Sequence, residues 1–208
     1  MAADLVSPSD YGSTLTAAAI AFRRKLGDQP SPKAVLSALV QAEKAAKQQR
    51  LTYAFESLWG QWQLCFTANR KAHERHGIME GSGWYVPRLA SAQISFSNAP
   101  DSDRPGSGEI ANQLKLGSLL LRFTGPCQFL GKKNLLSFDF TQIQICLLKR
   151  TVYQREIRGG NTQKQAFQTY QTPSRGKLPF FAFFLITEEL IAARGRGGGL
   201  ALWIRTEN

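Results

Sequence analysis

The sequence is poor in the groups from which most catalytic and metal sites are built. Two histidines, His73 and His76, and three cysteines, Cys65, Cys127 and Cys146, are its whole stock. A nucleophile–base arrangement needs an imidazole beside the nucleophile, and both imidazoles sit in one short polar stretch. H-x-x-H holds a metal only with a converging third ligand; none is near, so a solvated pair is expected and no metal site is assigned. The cysteines are odd in number and lack CxxC spacing, which points to buried free thiols in a reducing compartment. Long apolar runs are missing too. The longest, Phe180 to Ile186, is far short of the ~20 residues a membrane-spanning helix needs. The first ten residues carry acids and no basic-then-apolar pattern, so no secretory signal is expected.

Acids are also scarce. Lys and Arg number 26 against 15 Asp and Glu, a net charge of +11, and residues 104–208 hold 15 of those bases with only 6 acids. Such a surface suits an anionic membrane, an acidic protein or nucleic acid. A nucleic-acid reading needs aromatics and bases on one exposed face, and the aromatic positions here alternate inward, which argues against it.

Residues 12–28 and 31–57 read as helices. In the second, Ser31 caps, Pro32 takes the first helical position, and Leu36, Leu39, Val40, Ala46 and Tyr53 form a buried face, with Lys33, Glu43, Lys44, Lys47 and Arg50 left to solvent. In the first, Gly27 is a plausible stop. From Gln61 the period changes to two: Trp62, Leu64 and Phe66 face one way, Gln63, Cys65 and Thr67 the other. Ile94 with Phe96, and Leu119, Leu121 and Phe123, repeat the alternation. Between Leu135 and Leu148 the phase breaks, with Leu136, Phe138 and Phe140 on even positions and Ile143, Ile145 and Leu147 on odd ones. A bulge or tight turn near Thr141-Gln142 is expected there. Segments 69–90, 97–108 and 154–177 read as long loops.

The fold class that follows is mainly β with N-terminal helices (α+β): a helical segment, residues 1–57, and an antiparallel barrel, residues 58–208, forming one structural unit. Gly60-x-Trp62 resembles the G-x-W of lipocalin-like barrels, whose tryptophan plugs the closed end under an arginine of the last strand, a place Arg205 can take here; ordinary core packing is the alternative. Phe180, Phe181, Phe183 and Phe184 put aromatics on both faces of one strand, so one face can line the interior and the other pack beneath the helices. The expected interior, and tentative ligand site, is Trp62, Leu64, Phe66, Phe138, Phe140, Phe181 and Phe183. Arg194-Gly195-Arg196-Gly197-Gly198-Gly199 lacks the G-x-x-x-x-G-K-[ST] pattern and feeds a strand, so a tight hairpin with positive-φ glycines is expected rather than a phosphate loop or an RGG contact. Glu188 and Glu189, if on a strand, point to opposite faces and make no acid–base pair. No catalytic residue is assigned.

Two separated motifs carry a family resemblance. Leu58, Gly60, Trp62, Leu64 and Thr67, with Phe66 for a tyrosine, match a first strand of the form L-x-G-x-W-x-L-x-Y-T. Gly176, Leu178, Glu188, Leu190, Arg194, Gly195, Gly198 and Leu200 match a closing motif. Together they resemble the plastid lipid-associated proteins, or plastid fibrillins, in a cyanobacterial-type form. Thr187 stands where that family has aspartate and Ile191 where it has an arginine. The resemblance implies a lipocalin-like barrel in which Gly60, Trp62, Glu188, Arg194, Gly195 and Arg205 are structural. It also implies non-enzymatic binding of an isoprenoid quinone, carotenoid or acyl lipid, with no cofactor required. The implied place is peripheral, on the cytoplasmic side of a thylakoid membrane or in a plastid, held by anionic headgroups or an acidic photosynthetic complex. A structural or assembly subunit of such a complex, and a bilin lyase or chaperone on a similar barrel, remain alternatives.

Overall fold

The structure is a computed structural model describing residues 10–24, 28–75, 78–87, 89–99, 104–157 and 178–206. Gly27, His76, Gly176 and most of segment 154–177 lie outside the described residues. Helices α1 (Asp10–Arg24) and α2 (Pro32–Gln49) lead into thirteen described strands, joined to them by a short 3-10 turn, Phe55–Leu58.

Ser31 caps α2 as its sequence suggests, its hydroxyl accepting from the Ala34 N–H at 3.2 Å, with Pro32 at the first position. The helix nevertheless ends at Gln49, eight residues before the expected end at 57. Arg50 adopts a left-handed conformation (φ 52°), and the Leu51 N–H closes back on the Ala46 carbonyl. Tyr53 is therefore not on a helical face. It sits in the extended lead-in, donating its hydroxyl to the Phe184 carbonyl while its N–H donates to the Asn134 side chain.

Eight strands close the barrel, all antiparallel: β1 (Gly60–Ala68), β5 (Ala90–Asn98), β6 (Ser107–Leu116), β7 (Leu119–Leu130), β8 (Leu135–Phe138), β11 (Phe180–Ile186), β12 (Leu190–Gly195) and β13 (Leu200–Arg205). The ring runs β1–β5–β6–β7–β8–β11–β12–β13 and back to β1. Closure leaves no open edge in the ring. The stretch read as loop 69–90 instead holds three short strands. β2 (His73–Arg75) pairs with β3 (Ile78–Glu80), and β4 (Gly83–Tyr85) pairs with β1.

The phase break between Leu135 and Leu148 is a strand hand-over, not a bulge within one strand. β7 is twelve residues long; its far half pairs with β8 and its near half with β9 (Gln142–Leu147). The backbone crosses between them at Asp139–Thr141, where a β-carbon on Gly125 would lie 1.9 Å from the Asp139 carbonyl oxygen. Only glycine permits that approach. β9 then pairs with β10 (Arg150–Glu156), so β5, β6, β7, β9 and β10 form a sheet wing extending past the barrel.

Two cores result. One lies between the helices and the outer face of β11, β12, β13 and β1, and includes Leu15, Leu36, Leu39, Cys65, Phe66, Phe184, Leu200 and Leu202. The other fills the barrel, from Phe55, Leu58 and Trp62 to Phe138, Phe183 and Trp203. Phe66, expected inside, belongs to the first. The β1–β13 register slips between Leu64 and Phe66, and the extra residue at Cys65 rotates every later side chain by one face. A bulge has this effect on any alternating pattern.

Candidate functional site

One end of the barrel is shut. Gly60 opens β1 at φ 116°, and a β-carbon there would lie 2.7 Å from Nη1 of Arg205. That close approach lets the guanidinium lie over Trp62, with its carbon 4.1 Å from the ring centroid. Arg205 also donates to the carbonyls of Trp59, at 3.0 Å, and of Glu188. Trp62 is fully buried, and its indole N–H donates to the Leu58 carbonyl at 2.7 Å. Glu188 contributes only its backbone oxygen. It and Glu189 lie in the β11–β12 turn, not on a strand as supposed, and Glu189 pairs with Arg23 of α1 at 2.9 Å. Thr187 ties this turn, its hydroxyl accepting from the Leu190 N–H at 2.9 Å. Ile191, across the same turn, is fully buried in the barrel.

The other end is built differently. Of the expected interior residues, Trp62, Phe138 and Phe183 are buried in the barrel core, and Leu64, Phe140 and Phe181 pack against it half-buried. The rings form a continuous series. Phe183 meets Trp203 and Phe96, Phe181 meets Trp203 and Phe183, Phe138 stacks on Phe181 at 5.1 Å, Phe140 lies 5.2 Å from Phe138, and Phe123 lies 5.6 Å from Phe140. Phe123 is on the wing, beyond the closed ring.

The wing continues the barrel lining. Paired residues in an antiparallel sheet share a face. Ile94 and Phe96 on β5 and Ile110 on β6 line the interior; on the same faces follow Ala92, Ala90, Leu114 and Leu116. Phe129 and Cys127 on β7 lead likewise to Phe123, Leu121 and Leu119, which pair with Ile143, Ile145 and Leu147 of β9. The opposite face is polar. Gln63, Gln93, Gln113, Arg122, Gln144 and Gln154 form one cross-strand row over six strands. The alternation of Leu119, Leu121 and Phe123 was legible in the sequence; that it leads out of the barrel was not.

The sequence reading also missed what anchors the helices. Glu43, assigned to solvent, is buried and accepts three hydrogen bonds from Arg194, Nε to Oε1 at 3.0 Å and to Oε2 at 3.1 Å, and Nη2 to Oε2. Arg194 donates further to the carbonyls of Ala72 and Gly198. Burial alone would raise the Glu43 pKa, but the hydrogen bonds and charges of Arg194 and Lys47 outweigh it and hold the carboxyl below its usual value. Gly195 and Gly198 close the β12–β13 hairpin, with Gly198 at φ 87°, as expected of a tight turn.

The cysteines divide. Burial pushes the thiols of Cys65 and Cys127 up to about 12, which keeps them protonated and inert near neutral pH. Cys146, expected to be buried, is half-exposed on the polar face of the wing. His73 lies 3.4 Å from Glu80 across the β2–β3 ladder.

The fold is thus an α+β one: a closed, eight-stranded, lipocalin-like antiparallel barrel behind two helices, plugged at one end and running out onto an apolar sheet face at the other. No family model matches the chain, and no characterised protein matches it in sequence. Among the described residues, no helix is long and apolar enough to cross a membrane.

Proposed function

We infer that this chain binds a hydrophobic molecule without transforming it, as a peripheral protein of a photosynthetic membrane related to the plastid lipid-associated proteins. The observation that carries the reading is the asymmetry of the barrel. Its base is sealed by Trp62 under Arg205, while its other end passes through Phe181, Phe138, Phe140 and Phe123 onto the half-exposed apolar face of the wing. A flexible acyl or isoprenoid chain lying along Phe140, Phe123 and Ile143 needs no polar partner. Each methylene it buries contributes ~0.8 kcal/mol. Taken with the family resemblance, this favours an isoprenoid quinone, carotenoid or acyl lipid, bound at the mouth rather than deep in the barrel, whose centre is occupied by aromatic rings. The basic surface supports a place beside anionic headgroups, on the cytoplasmic face of a thylakoid or within a plastid.

A second reading has its own support. The mutual ring contacts from Phe96 to Phe138 make a solid hub, as a structural or assembly subunit of an acidic photosynthetic complex would have. Titration with a long-chain environment-sensitive fluorophore separates the two. Carriage predicts saturable binding that Phe140→Asp weakens at least tenfold and that an added isoprenoid displaces. A scaffold predicts only unsaturable, weak partition.

A further inference from the structure

Two turns meet at the free end of the wing. Gly117-Ser118 joins β6 to β7, Leu148-Lys149 joins β9 to β10, and the Leu148 N–H donates to the Ser118 carbonyl at 3.1 Å. Across this end the register sets Ala90, Leu116, Leu119, Leu147 and Arg150 in one row on the apolar face. All three leucines are exposed, and Leu148 at the turn is 73% exposed.

The turn itself is unusual. Leu148 and Lys149 both have positive φ, 51° and 66°. A two-residue hairpin turn of this kind favours Asn-Gly, because a β-carbon crowds the backbone in the left-handed region. Leucine there has a steric cost and, at this exposure, little packing to offset it. Residues strained in this way cluster at binding and switch sites.

Behind the row lies a pocket of about 630 Å3 lined by Ser91, Gln113, Lys115, Cys146 and Lys149, with Leu148 at its edge. Charge is one-sided as well. Between Glu109 and Glu156 the sequence holds Lys115, Arg122, Lys132, Lys133, Lys149, Arg150 and Arg155 against the single acid Asp139.

We propose that this two-turn tip docks the protein on an anionic lipid bilayer. Leu116, Leu119, Leu147 and Leu148 enter the boundary between headgroups and acyl chains, and Lys115, Lys149 and Arg150 meet the phosphates. The pocket between Lys115 and Lys149 receives one anionic headgroup. Apolar insertion with basic flanks gives such binding its two parts, burial and electrostatic attraction. The proposal deepens the ligand-binding reading and rests on it for one consequence. The leucine row is the outer end of the face that leads to Phe123 and Phe140, so a lipid leaving the bilayer reaches the barrel mouth without crossing water.

Flotation of the full chain with vesicles of phosphatidylcholine alone, or phosphatidylcholine mixed with phosphatidylglycerol, tests this. The wild type should float with the mixed vesicles and release steeply as salt is raised. Leu148→Asn should lower that partition at least roughly tenfold, while its melting temperature stays level or rises, since asparagine tolerates the left-handed turn. Lys115→Gln should weaken binding about fivefold on mixed vesicles only. A wild type that floats with neither vesicle, or Leu148→Asn floating as well as wild type, overturns the proposal. Flotation indifferent to lipid charge overturns the part given to the lysines. Binding of the solvent-delivered fluorophore is scored separately: its loss in the wild type refutes ligand carriage, and its retention by both variants shows that docking alone was removed.

Discussion

The helix-covered side of the barrel and the half-exposed wing use the same strand chemistry to opposite ends. On β11, β12, β13 and β1, apolar residues occupy both faces: Phe183 and Ile191 line the interior, while Phe184, Ala192 and Leu202 pack under the helices. On the wing only one face is apolar, and part of it remains in water, as Leu114, Leu116, Leu119 and Leu147 show. A strand buried on both faces tolerates little change, whereas one half in water is held by its ladder and is free to bind something else. On the proposed reading, stability resides on the helix side and binding on the wing.

That division is open to direct attack. The largest effect is expected at the plug: Trp62→Ala removes a fully buried ring and should cost about 3–5 kcal/mol, read by denaturant unfolding. Arg194→Met strands Glu43 beneath α2 and should cost roughly 3 kcal/mol. Because the Glu43 carboxyl is held below its ordinary value of 4.5, the pair's contribution is fully present above that value. It is lost as pH falls through the depressed folded-state pKa. Acid melting curves should show this loss in the wild type and not in a Glu43→Gln, Arg194→Met double variant. Arg205→Ala removes the cation over Trp62 and should cost about 1–2 kcal/mol. The smallest effect belongs to the wing. Leu119→Ser should shift stability by no more than about 0.5 kcal/mol, in contrast with about 2–5 for Leu202→Ala on the helix side. Comparable losses at the two leucines would erase the distinction. Thiol labelling adds a check: near neutral pH Cys146 should react in the native state, and Cys65 and Cys127 only on unfolding.

The sequence made some of this legible for identifiable reasons. Gly60-x-Trp62 is local, and the closing strand ends on an arginine, so the plug could be placed from two short motifs. The helix pair followed from a capped, proline-led pattern. Phe66 was misplaced because a bulge leaves no mark in residue types; Cys65 looks like any strand residue. Tyr53 was misplaced because α2 ends on a left-handed arginine instead of a glycine. The Glu43–Arg194 pair joins residues 151 positions apart, and neither residue's neighbours distinguish it from a surface charge. The break after Phe140 was visible, but its meaning depended on a twelve-residue β7 long enough to serve two partners.

The most direct test of the central claim is native mass spectrometry of the protein isolated from its own source, with extraction of whatever it carries. A barrel opening onto an apolar wing should yield an isoprenoid or acyl lipid at close to one per chain, lost from the Phe140→Asp variant. A chain recovered empty, from source and after incubation with such lipids, would contradict carriage and leave the solid aromatic hub to be explained as a scaffold.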